Sequence, residues 1–87
     1  MNENQHNNVY FFRINPKTLI LIRAQQDIKL KQELSLSLGK SLSTINRLIR
    51  KNDVNGYLTT VSSMIVLGSF LGLSYVDLIV SCPKENL

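Results

Sequence analysis

Ser43, Asn46, Arg47 and Arg50 stand three and four residues apart, the spacing that places side chains on one face of an α-helix. Their chemistry is hydrogen bonding rather than covalent catalysis. An Arg guanidinium forks onto O6 and N7 of guanine, and an Asn amide matches N6 and N7 of adenine. Ser43 suits a base edge. Leu42, just ahead of it, offers apolar surface either to a thymine methyl or to a protein partner. Thr44 contacts a phosphate or caps the helix. Asn46 reads adenine or stays in solvent; Arg47 reads guanine, meets a phosphate or stays in solvent. Around this set, Lys31, Gln32, Lys40, Arg50, Lys51 and Asn52 are spaced to touch phosphates. Phosphate contacts position a protein on a duplex without specifying its sequence.

Other chemistries lack parts. His6 and Cys82 are the lone His and Cys of the 87 residues. A zinc site needs about four ligands. A single Cys excludes an intrachain disulfide framework and fits a cytoplasmic setting. No paired carboxylates, no meeting Cys and His and no Gly-rich phosphate loop stand out, so the expectation is a non-enzyme with no cofactor and no metal. The length is that of one small domain with a thin core. An apolar content of 44% is too high for a disordered chain. The polar stretch Met1–Asn8 has no apolar signal-peptide core.

The net charge of +4 is unevenly spread. Residues 13–51 hold nine of the ten basic residues against Asp27 and Glu33. Residues 52–87 carry Lys84 against Asp53, Asp77 and Glu85. One half is therefore cationic, as a polyanion-binding surface requires, and the other is suited to packing or association.

Local signals divide the chain into five short helices after a short extended segment, Val9–Ile14. Asn15-Pro16 starts helix 1, which runs to about Gln26 with Leu19, Ile20 and Ile22 turned inward. Asp27 caps a second helix from Ile28 to about Ser37, where Leu30, Leu34 and Leu38 mark one face. Gly39 ends it and Ser41 caps helix 3, from Leu42 to about Arg50, with Ile45, Leu48 and Ile49 inward. Asn55-Gly56 marks a turn. Thr60 caps helix 4, Gly72 stops it, and Ser74 caps a last short helix. Residues 54–76 carry no charge, a length that spans a bilayer. Interruption by Ser, Thr and Gly favours a buried helix, a turn and a second helix instead, so no membrane association is expected.

The segment Gln32–Lys51 pairs a helix, a tight turn and a capped second helix, the pattern of a helix-turn-helix. Here the chain resembles the lambda-repressor/Cro-like regulators, also called the XRE family. The resemblance rests on Glu33-Leu34-Ser35, Leu38-Gly39, Ser41 and Thr44-Ile45-Asn46-Arg47-Leu48. It continues through Thr60-Val61, Leu71-Gly72-Leu73-Ser74 and Asp77-Leu78, covering about residues 16–80. The chain departs from the pattern in several places. The link between helices 1 and 2 is one residue longer. The Gln that contacts DNA backbone falls at Lys31 or Gln32, and the base-reading position after the Ser41 cap is Leu42. Ile49 stands where a Glu is common. Val66 and Phe70 replace a Lys and an Ala.

The resemblance implies an all-α bundle and a sequence-specific, repressor-like transcriptional regulator of bacteria or phages. Helix 3 would read the major groove of double-stranded DNA. Domain boundaries follow as a disordered N-terminus at 1–8, the DNA-binding domain at 9–80 and a C-terminal tail at 81–87. Phe70, Tyr75, Val76, Ile79 and Val80 exceed what so small a core can bury. A homodimer through helix 5, helped by Val9–Ile14, accounts for them, since two-fold dimers cover paired half-sites. The alternative is a protein-interaction module, an antirepressor or accessory subunit, using Leu42 and the apolar C-terminal face on an unknown protein partner.

Overall fold

Three side chains and two glycines set half of the α-helix ends. The computed structural model describes residues 11–82. Asn15 accepts the Lys17 N–H at 3.0 Å and opens α1 (Pro16–Ala24), with Pro16 in its first turn. Ser41 accepts the Thr44 N–H at 3.2 Å and opens α3 (Leu42–Lys51). Thr60 accepts the Ser63 N–H at 3.4 Å and opens α4 (Val61–Leu71). Gly39 and Gly72, at φ 65° and 68°, close α2 (Lys29–Leu38) and α4 in the left-handed conformation that glycine adopts without cost. The Ser35 hydroxyl donates to the Lys40 carbonyl and braces the turn from α2 to α3. A 3-10 turn (Tyr57–Thr59) precedes α4, and α5 (Tyr75–Leu78) follows it.

The core draws on every layer. Leu19 and Ile22 of α1, Leu30 and Leu34 of α2, Ile45 and Ile49 of α3, Leu58, then Met64, Val66 and Leu67 of α4 and Leu78 of α5 form one buried cluster with Ile14. α2 packs mainly on α4 and α3, so α3 rests on a helix that is itself held from behind.

The fold is not all-α. β1 (Phe11–Ile14) pairs antiparallel with β2 (Ile79–Cys82), matching Phe11 with Cys82 and Ile14 with Ile79. The extended reading of Val9–Ile14 therefore stands as a strand from Phe11; Val9 and Tyr10, like the N-terminal stretch 1–8, lie outside the described residues. β2 runs to Cys82, two residues past the expected boundary at 80. The strand begins where α5 ends at Leu78, which shortens the last helix to one turn and moves Ile79 and Val80 from a helix to a strand.

The outer edge of β1 is sealed by asparagines. Asn52 accepts the Ile14 N–H at 3.0 Å and donates to the Ile14 carbonyl at 2.9 Å. Asn55 accepts the Phe12 N–H at 2.9 Å, and its own N–H donates to the Phe12 carbonyl at 2.6 Å. Both take left-handed φ, 50° and 54°, which Asn tolerates better than most residues. Each thus stands in for a neighbouring strand.

Other expectations shift locally. α1 ends at Ala24 rather than Gln26, because Gln25 is extended with ψ 114°. Ile20 is exposed; Thr18 takes the inward place, its hydroxyl donating to the Asp77 carbonyl at 2.7 Å. The side chain of Asp27 accepts the Lys29 N–H at 2.9 Å, but the residue at the cap position of α2 is Ile28, which makes no side-chain capping bond. Ser74 holds the cap position of α5, yet its hydroxyl donates to Asp77 Oδ2 instead of accepting an N–H. The uncharged run 54–76 is split between the 3-10 turn, α4 and α5, and no described helix is long and apolar enough to cross a membrane.

Candidate nucleic-acid interface

α3 is sharply two-sided. Ile45 and Ile49 are buried and Leu48 is half-buried. Leu42, Ser43, Asn46, Arg47, Arg50 and Lys51 face outward. The Ser41 cap fixes where the helix begins, and so where its first turn projects. The Ser41 hydroxyl also donates to Thr44 Oγ1 at 3.1 Å, so Thr44 belongs to the cap as well as to the outer turn. At the far end, Arg23 of α1 donates to the Ile49 carbonyl at 3.4 Å. A cation beside the last carbonyls of a helix is favourable. This backbone contact ties α3 to α1 at the position where the resemblance pattern has a Glu.

Among the described residues, no internal hydrogen bond or ion pair engages the side chains of Ser43, Asn46, Arg47, Arg50 or Lys51. Their donors and acceptors are turned to solvent on one face, within reach of an external partner. Lys31 is half-buried and Gln32 exposed on the neighbouring helix. Lys40, in the turn between α2 and α3, has its ammonium 4.4 Å from the centroid of the Tyr57 ring. A contact of that kind at an exposed site is worth about 0.5–1 kcal/mol and holds the side chain in place.

Two grooves flank α3. One joins Leu42, Asn46 and Lys31 to Asp27 and Ile28 at the link between α1 and α2. The other joins Arg47 and Lys51 to Asp53 and Tyr57. Tyr57 and Ile28 therefore belong to this surface, although neither was selected by spacing. Tyr57 lies outside the helix-turn-helix pattern, and Ile28 reads as the first residue of helix 2 behind the Asp27 cap, so no local signal points to either.

Asn52 differs from its expected role. Its amide is spent on Ile14, and it closes α3 as a left-handed cap rather than presenting a free group to a phosphate.

The residues expected at a dimer contact divide. Tyr75, Val76 and Ile79 line a common groove with Phe12 and Ser81. Val76 is 82% exposed and Tyr75 54%, a large apolar surface left in water. Alternate residues of a strand face opposite sides, so Val80 lies on the other face of the sheet from Ile79, opposite Arg13. Phe70 is exposed on α4 and lines neither this groove nor the adjoining one at Ile65, Gly68 and Leu73.

No family model, curated protein or solved structure matches this chain.

Proposed function

We propose that this protein is a sequence-specific DNA-binding transcriptional regulator, repressor-like and without enzymatic activity, in which α2 and α3 act as a helix-turn-helix. α3 enters the major groove, where Ser43, Asn46 and Arg47 meet base edges. Lys31, Gln32, Lys40, Arg50 and Lys51 meet phosphates. The observation that carries this reading is the outer face of α3, whose polar side chains are exposed, contiguous and unengaged among the described residues, within a stretch, residues 13–51, that holds nine of the ten basic residues. The protein acts as a homodimer through the groove at Tyr75, Val76 and Ile79, because one copy covers a single half-site.

Four cations among the phosphate-contacting residues of each protomer give roughly eight neutralised phosphates per dimer. The slope of log affinity against log salt is then about −7. Fluorescence anisotropy on a selected duplex at two salt concentrations measures it. Arg47→Ala should cost about 1–3 kcal/mol at that site and relax preference at one base position. Unchanged affinity and unchanged preference would remove Arg47 from the reading surface.

A second reading, a protein-interaction module, is favoured by the apolar groove around Val76, which suits a protein partner as well as a second copy. It predicts weak salt dependence and no duplex binding.

A further inference from the structure

The groove between the α1–α2 link and the start of α3 has an unusual lining for a polar surface. Ile28 and Leu42, 50% and 36% exposed, both line it, together with Lys31, Asn46 and Asp27. Ile28 is the less covered of the two; Leu42 is nearly two-thirds covered by the fold yet keeps an open edge in the groove. Ile28 occupies the cap position of α2 and makes no capping bond; Asp27, one residue earlier, accepts the Lys29 N–H instead, which frees position 28 for an apolar side chain. Ile28 is also half in water, so it adds little to the core. Leu42 occupies the first position of α3, where polar residues are equally compatible with the helix. The apolar surface that both leave open in one groove is stabilised when an apolar group covers it.

The occupant has to be small and apolar on one side, with hydrogen-bonding groups at its flank for Asn46. Asp27 and Lys31 offset one another in the lining, so the groove itself offers a phosphate no net charge. On the major-groove edge of DNA, the one apolar projection is the C5-methyl of thymine, and the adenine paired with it presents the N6 and N7 pattern that an Asn amide matches.

We propose that Ile28 and Leu42 form a receptor for the C5-methyl of thymine, with Asn46 on the adenine of the same or the next base pair. Each half-site then contains one T·A pair whose methyl is read. This deepens the DNA-binding reading and rests on it. It assigns the link between α1 and α2, through Ile28, a part in base choice.

The probe is the duplex enriched from random sequence, with each thymine replaced in turn by deoxyuridine. That change deletes only the methyl and leaves the protein untouched. One position per half-site should bind about fourfold more weakly, the worth of one buried methyl. In Leu42→Ala and Ile28→Ala, thymine and deoxyuridine at that position should bind alike, while the remaining positions keep their preferences. Sequence-specific binding that no deoxyuridine substitution weakens overturns the methyl receptor and leaves DNA reading intact. A methyl effect that persists undiminished in both variants overturns the assignment to these residues. Failure to enrich any duplex overturns the DNA-binding reading, and the receptor with it.

Discussion

Replacing Asn52 with Gly isolates what its side chain does. The backbone there has φ 50°, a conformation that Gly adopts freely, so the substitution adds no strain. It removes two hydrogen bonds, from the Ile14 N–H at 3.0 Å and to the Ile14 carbonyl at 2.9 Å. Ile14 is fully buried, so water replaces these partners poorly. An orphaned buried polar group costs about 1–3 kcal/mol, and two such groups, partly relieved by local opening of β1, give a loss of about 2–4 kcal/mol. A domain of this size holds only about 5–10 kcal/mol in total, so the change is large. Equilibrium urea unfolding followed by far-UV circular dichroism reads it as a fall in midpoint at constant slope. Asn52→Ala adds roughly 1–2 kcal/mol more, because a Cβ is strained at positive φ. The order of stability should be Asn, then Gly, then Ala. A loss below about 0.5 kcal/mol for Asn52→Gly would refute the tether and return Asn52 to the phosphate-contacting set.

Three further outcomes follow from the packing and the exposed surface. Gly68→Ala should destabilise the domain by about 1–2 kcal/mol in the same assay despite the better helix propensity of Ala. The added Cβ would stand 3.0 Å from the Leu73 carbonyl, where α4 turns back toward α5. Ser63→Ala should leave stability unchanged or raise it by about 1 kcal/mol, because the Ser63 hydroxyl is buried with no hydrogen-bond partner among the described residues; a clear loss would reveal one. Val76→Asp places a charge at the centre of the groove shared by Phe12, Tyr75 and Ile79. Sedimentation velocity should show the proposed homodimer for the unaltered chain and a monomer for the variant, with the circular dichroism spectrum the same; a variant that dimerises as well would place the contact elsewhere.

The parts of this fold that were legible in the sequence are those governed by neighbours along the chain. Asn15, Ser41 and Thr60 cap helices because a short polar side chain two or three residues from a free N–H reaches it whatever the rest of the protein does. Gly39 and Gly72 stop helices for an equally local reason. The inward triplet of α3 follows from spacing alone. What spacing could not convey was the pairing of β1 with β2, since a match between Ile14 and Ile79 is a tertiary event between segments at opposite ends of the fold. Asn52 and Asn55 were legible as turn or surface residues, but their service to β1 depends on that sheet being there. Ile20 fits a helical stripe as well as Thr18 does; the carbonyl of Asp77, waiting for a donor, decides between them. In the candidate interface, the helical residues Ser43, Asn46, Arg47, Arg50 and Lys51 were found by period. Ile28 and Tyr57 were not, because they reach the same surface from other elements.

Enrichment of this protein on random duplex DNA, followed by anisotropy of the winning sequence at low and moderate salt, tests the central claim most directly. The account predicts a two-fold symmetric site whose affinity falls by about three to five orders of magnitude between 50 and 200 mM salt. Absence of any binding at low salt would contradict it and identify the exposed apolar groove around Val76 as the functional surface instead.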